Sequence, residues 1–240
     1  MSSVPNSANS QPSAGTATAK PLRSDGQEAR TRLLDAALVL FADKGFAKTS
    51  TREIALAAQV NVASISYYFG DKAGLYRAVF TDPRSNPRIE ATDIDHPGQD
   101  LAHSLRVLLS GFTEPLKQGV QMQSCMKLHF REMLEPTGLW EAEIDDNIRP
   151  AHMATVQVLC RHLGVTQPDD DVHRLAFSIA GLAMILHVGA DVIDAICPQL
   201  IATPRAVDAY TDHMVASALA MVEAERQRRA VLPAAVLSKR

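Results

Sequence analysis

Between Thr51 and Lys72 the chain gathers residue types suited to hydrogen bonding in and beside the groove of a nucleic-acid duplex. Val62, Ala63, Ser64 and Ser66 are small or hydroxylated. At the start of a helix, such residues let the backbone approach base edges, and apolar ones can touch the methyl group of thymine. The hydroxyls of Tyr67 and Tyr68 and the ammonium of Lys72 suit phosphate oxygens. Thr51 opens the preceding helix and adds a hydroxyl beside free backbone N–H groups, a setting that binds phosphate. Arg52 fits a DNA contact and a solvated or ion-paired role equally. Arg30 and Arg32 could reach DNA from an earlier helix, although helix-surface arginines usually do not.

Other chemistries find less support. The three cysteines, Cys125, Cys160 and Cys197, lie far apart, with no disulfide framework. The eight histidines show no His-x-x-x-His spacing and the cysteines no Cys-x-x-Cys, so neither a metal site nor a cofactor is expected. There is no Gly-rich phosphate loop, nucleophile elbow or obvious acid/base pair, and an enzyme is not expected. A metal- or redox-responsive DNA-binding sensor is the alternative that the histidines and cysteines keep open.

The elements that must position these residues are helices. The chain has 240 residues, 46% hydrophobic and only 5% aromatic, and is rich in Ala and Leu, which favours helix. Residues 20–80 carry nine Lys/Arg against six Asp/Glu, whereas residues 81–240 carry 15 against 21. A mildly basic head on an acidic body suits DNA held at one end. No apolar run reads as long enough for a membrane span, and no charged-then-apolar leader is evident, so a cytoplasmic protein without a membrane partner is expected.

Residues 1–26 hold almost no large apolar group and are expected to form a disordered tail, in which Lys20 and Arg23 either touch phosphate or remain solvated. From Gln27 to Lys44 the residues Leu33, Leu34, Ala37, Leu38, Leu40 and Phe41 recur at helical spacing, and Gly45 ends that helix. Ser50 with Glu53 predicts a capping box for a helix to about Ala58. Asn61 caps a helix over Val62–Phe69, and a further helix runs from Lys72 to Phe80. Residues 81–97, with Pro83, Pro87 and Pro97, read as a linker. Helices near 98–118, 121–135, 138–163, 169–196 and 204–231 follow, with Pro150 kinking or splitting the third. These form a larger helical domain over 98–232, and residues 233–240 a tail. The fold class is all-α.

Ile54, Ala55, Val60, Ile65 and Phe69 are spaced to share a small core with Phe41, Phe46 and Leu75. That arrangement is a helix–turn–helix, and it turns Val62, Ala63, Ser64, Ser66, Tyr67 and Tyr68 outward. Tyr67 and Tyr68 cannot both be buried beside Ile65 and Phe69. Residues 27–80, in the string from Thr51-Arg52-Glu53-Ile54-Ala55 to Asp71-Lys72-Ala73-Gly74-Leu75-Tyr76, resemble the N-terminal domain of TetR/AcrR-family bacterial regulators. One departure is Gln59, where that family usually has glycine. The resemblance implies a homodimer on a near-palindromic double-stranded DNA operator, usually a repressor. It also implies an all-helical C-terminal domain that binds a small-molecule effector.

The stretch from Arg131-Glu132 to Pro136-Thr137 resembles an Arg-Glu-x-x-x-Pro-Thr motif in one branch of TetR-like regulators. An effector pocket would be an apolar cavity between helices with a few polar groups. Helical spacing offers Phe112, Met122, Met126, His129, Phe130, Met133, Trp140, Met153, Phe177, Met184 and His187 as lining, although such stripes more often form core. Phe177–Val188 and Val207–Val222 are apolar on more than one face and suit either a four-helix interface between subunits or internal packing.

Overall fold

The computed structural model describes residues 22–84 and 88–231, and the regular elements among them are helices. The expectations for residues 1–21 and 233–240 lie outside the described residues. Helix α1 (Leu22–Lys48) begins five residues ahead of the expected start and takes in part of the stretch expected to be disordered. Gly26 fits this extension closely against the head. A Cβ there would lie 3.1 Å from the Tyr68 hydroxyl, so a residue without a side chain lets the early turns rest against that tyrosine. At Gly45 the helix breaks with φ 79°, and a last short turn follows. The buried Thr49 hydroxyl then donates to the carbonyls of Leu40 (3.1 Å) and Gly45 (2.8 Å), which fixes the exit of the chain.

Helices α2 (Thr51–Ala57), α3 (Ala63–Phe69) and α4 (Lys72–Phe80) complete the head. Phe41, Ile54, Ala55, Ile65 and Leu75 are buried together, with Phe46, Val60 and Phe69 at the edge of the same core. The spacing of these residues in the sequence predicted this grouping.

Helix α5 (Ala91–Ile94) lies in the stretch expected to be a plain linker. Ile94 is buried in the C-terminal core, with Ile89 packed alongside. A Cβ on Gly111 would fall 2.0 Å from Ile89 Cδ1, so the glycine makes room for it. Part of residues 81–97 therefore belongs to the body. Two isoleucines among prolines and acids are too few for a period to show in the sequence.

The body continues as α6 (Leu101–Lys117), α7 (Val120–Leu134), α8 (Trp140–Glu143), α9 (Arg149–Leu163), α10 (Asp170–Val188), α11 (Ala190–Ile196) and α12 (Pro204–Val231). Ile144–Ile148 wind as one wide π turn between α8 and α9. Pro150 sits in the first turn of α9, where its missing N–H costs nothing, and the stretch expected over 138–163 is split there into α8, the π turn and α9. Helices α6 and α12 lie against each other, with α9 and α10 closing the bundle around Leu109, Leu159, Ile179 and Leu186. Asp169 caps α10 and receives both terminal nitrogens of Arg229, at 2.7 and 2.8 Å, pinning the end of α12. By length and composition α10 could span a membrane, contrary to the sequence expectation. The inner face of α10, including Val172, Leu175, Ile179 and Leu186, is buried in the bundle core, which accounts for much of that apolar composition.

Helix α7 packs chiefly on α1 of the head. Its Cys125 and Leu128 are buried in the core of the head, not in that of the bundle.

Candidate nucleic-acid interface

Local hydrogen bonds set the recognition module. Ser50 Oγ accepts from the Glu53 N–H at 3.2 Å, and Glu53 Oε2 accepts from the Ser50 N–H at 3.3 Å, closing the capping box. Lys44 pairs with the same carboxylate and, with the Ser50 N–H, holds its pKa below the usual range. At the other end of α2, Gln59 has φ 55°. The Val60 N–H donates to the Ala55 carbonyl (3.0 Å) and the Gln59 N–H to that of Leu56 (3.1 Å). That pair of bonds, with a left-handed residue between helix and turn, is a Schellman cap, the reason glycine suits this position. Asn61 Oδ1 accepts from the Ala63 N–H at 2.9 Å, capping α3. Gly70 (φ 82°) ends α3, and Asp71 Oδ1 caps α4 through the Gly74 N–H at 2.7 Å.

These caps aim α3 outward. Only Ile65 of α3 is buried, while Val62, Ala63 and Ser66 are exposed and Ser64 is half-buried. Tyr67 is 81% exposed, and its ring meets that of Tyr68 edge-on at 4.8 Å. Tyr68 is half-buried against the core of the head, so Tyr67 is the tyrosine that faces outward. Lys72 holds its ammonium 4.4 Å above the Phe46 ring, and Thr51 is half-buried beside the exposed Arg52. The sequence left the roles of Arg30 and Arg32 open. In the fold, Arg32 Nε donates to the Ala58 carbonyl at 3.1 Å and Arg30 lies 5.3 Å from the Phe69 ring, so both brace the module. Sequence reasoning missed two exposed residues beside it, Lys48 ahead of Thr51 and Leu56, which is 79% exposed.

The residues singled out as effector contacts divide into three groups. Phe112, Phe130 and His187 come together: the Phe130 and His187 rings stack at 4.8 Å, and His187 Nε2 donates to the Phe112 carbonyl at 2.8 Å. Burial pushes the His187 pKa down against that hydrogen bond, keeping the imidazole neutral. Met126 and Met133 share the Phe130 face of α7, and Met184 lies one turn before His187 on α10; all three are half-buried. The second group faces the head. Met122 packs on the core of the head, and His129 stacks on Phe80 at 4.3 Å while Nδ1–H donates to the Cys125 carbonyl at 2.9 Å. His129 Nε2 is buried without a hydrogen-bond partner among the described residues. The third group lies apart: Trp140 is half-buried at the start of α8, Met153 is 38% exposed, and Phe177 is 62% exposed with its ring on His152.

Among the described residues, no group of three or more His, Cys, Asp or Glu is placed to hold a metal ion. Cys125 and Cys160 are buried, and burial pushes the Cys125 thiol up to about 12, far from a reactive thiolate.

The tetR family of bacterial regulatory proteins matches residues 33–79, and the C-terminal domain of the HTH-type transcriptional dual regulator CecR matches residues 101–224. The dual regulator CecR of Shigella flexneri is 28% identical over 178 residues, covering 70% of this chain and 79% of that protein. The regulator AcrR of Shigella flexneri is 38% identical over 68 residues, covering 28% of this chain and 32% of that one. Among solved structures, a TetR-like regulator from Rhodococcus sp. RHA1 superposes with a TM-score of 0.53 at 20% identity, covering 80% of this chain and 93% of that one. A SmeT–triclosan complex does so with a TM-score of 0.55 at 20% identity, covering 79% and 90%. The exposed α3 and its capped turns lie within the first match and helix α7 within the second, and the chain belongs to the TetR family of transcriptional regulators, DNA-binding proteins and not enzymes, with a C-terminal domain of the CecR type.

Proposed function

We propose that the protein is a homodimeric repressor that leaves a near-palindromic operator when a small apolar effector enters its C-terminal domain. The observation that carries this reading is the outward face of α3, where Val62, Ala63, Ser66 and Tyr67 are exposed on a helix capped at both ends. Two such helices about 34–36 Å apart would enter successive major grooves. Thr51, Arg52, Tyr68 and Lys72 flank that face and would contact phosphate. The exposed apolar positions of α10 and α11, Phe177, Ile185, Val188, Val192 and Ile196, support a dimer through this side. The outward positions Ala209, Ala216 and Ala220 of α12 would let a second copy approach closely. A cytoplasmic location follows from DNA as the partner.

An effector can act only by binding the two states with different affinity. The half-buried Phe112, Phe130 and His187 group, with the methionines around it, is the effector site in this reading. A gel-shift on the DNA upstream of the protein's own gene tests the proposal. The expected result is a retarded dimer complex; no complex with that DNA or with a random-sequence pool at low salt would overturn it.

A further inference from the structure

We propose that His152 and His173 form a two-histidine site for a divalent transition-metal ion of the Ni2+ or Cu2+ kind, which clips α9 to α10. The site goes beyond the regulatory reading above and does not depend on it.

The two residues lie near the starts of α9 and α10. Their rings are 18° from parallel with centroids 5.2 Å apart, and His152 Nε2 faces His173 Nδ1 at 2.9 Å. Both are half-buried, so an ion can reach the pair from solvent. Sequence spacing did not reveal the pair, because the short metal motifs place both histidines on one element.

Without an ion, one ring donates its N–H to the other. A single neutral hydrogen bond at a half-exposed position contributes little, since each ring could bond water instead. The same two nitrogens make a better pair of ligands. An ion about 2.0–2.1 Å from each would see them about 90° apart. That is the angle between neighbouring ligands in a square-planar or octahedral shell, which suits Ni2+ and Cu2+. A tetrahedral ion such as Zn2+ would need the nitrogens roughly 3.3 Å apart. Side-chain rotation brings both lone pairs onto the ion. The shared hydrogen need not leave the protein: the donating ring carries it on its other nitrogen, and each neutral imidazole presents one lone pair. Water fills the remaining positions, as in sites that keep open coordination.

The surroundings suit a cation. Phe177 stands one turn after His173 and stacks on His152 at 4.3 Å, an apolar backing that keeps that ring on the His173 side. The guanidiniums nearby are already paired. Arg149 bonds Asp145 through Nε (3.1 Å) and Nη2 (2.7 Å), and Arg174 holds Asp171 (2.7 Å) and Asp170 (3.2 Å). Asp170 and Asp171, in the first turn of α10, also offset the positive end of the helix on which His173 sits.

Ni2+ titration of the full-length protein without a histidine tag tests this. The expected result is one equivalent of Ni2+ per chain, a rise in the thermal midpoint, and a shift or broadening of the ring-proton NMR signals assigned to His152 and His173. His152→Gln and, separately, His173→Gln are each expected to weaken binding at least about tenfold, since even loss of an outer-shell partner costs that much. His162→Gln and His213→Gln, at exposed positions on α9 and α12, are expected to bind Ni2+ as the wild type does. Circular dichroism confirms folding of each variant, and the NMR readout needs no variant at all. No bound Ni2+, NMR changes centred on other histidines, or wild-type affinity in the folded His152 and His173 variants would each overturn the proposal.

Discussion

The hydroxyl of Tyr76 in α4 donates to the carboxylate of Glu132 in α7 at 2.7 Å, across 56 residues of sequence, and the carboxylate is wholly buried. Burial first, and the Glu132 carboxylate second, push the Tyr76 pKa well above the ordinary tyrosine range, so it remains a donor. The other donors to Glu132 come from one turn, Thr137 and Leu139. One buried acceptor thus joins the last helix of the head to the turn that leads into α8.

The two partners are unequal. Tyr76→Phe leaves Glu132 with its remaining donors and is expected to cost about 1–1.5 kcal/mol, the net worth of one hydrogen bond. Glu132→Ala leaves the Thr137 and Leu139 N–H groups and the Tyr76 hydroxyl without their acceptor, and is expected to cost at least about 3 kcal/mol. Urea denaturation of the two variants checks this; equal losses would contradict it.

Two turn positions make opposite demands. Gln59 holds φ 55° where glycine is the easier residue, so Gln59→Gly should stabilise the protein by roughly 0.5–1 kcal/mol. Gly74 has the reverse constraint, because a Cβ there would stand 2.0 Å from the Phe69 carbonyl oxygen. Gly74→Ala must displace the turn between α3 and α4 and is expected to cost about 2 kcal/mol or more. Thermal melts of both variants should move in opposite directions.

Stability should depend on pH through His187. Burial holds its pKa below the ordinary histidine value of 6.5, so the unfolded chain takes up its proton first as pH falls. The stability it contributes is complete above pH 6.5 and declines as pH drops below that value toward the folded pKa. His187→Gln retains a donor for the Phe112 carbonyl but cannot titrate there. Its stability should fall less between pH 6.5 and 5 than that of the wild type, by denaturation at each pH; identical slopes would assign the effect to other groups.

The head was legible because its signals are local. Ser50 with Glu53 and Asn61 each fix structure within a few residues, Ile54, Ile65 and Leu75 supply one buried position to each of three short neighbouring helices, and each interaction forms as read. The body was legible as helices but not as contacts. An apolar face on α7 does not say whether it meets the head or the bundle, and in the fold one face meets each: Cys125 joins the head, while Phe130 meets His187. Met122 and His129 were grouped with Phe130 by helical spacing, yet they lie on the head face. Ile94 escaped notice because one buried residue in a four-residue helix has no period. Arg131 and Glu132 stood out in the sequence only as part of a motif; the fold gives each a different partner, with Arg131 on the α1 carbonyls and Glu132 on Tyr76.

The central claim is that α3 docks in a DNA groove with Tyr68 and Lys72 on the phosphates. The most direct measurement is the salt dependence of duplex affinity for the wild type, Lys72→Ala and Tyr68→Phe. Lys72→Ala should weaken binding on all sequences and make the log–log salt slope shallower by about one. Tyr68→Phe should weaken binding on all sequences with little change in slope, because a hydroxyl carries no charge to displace a counterion. Wild-type affinity and slope retained by both variants would contradict the claim.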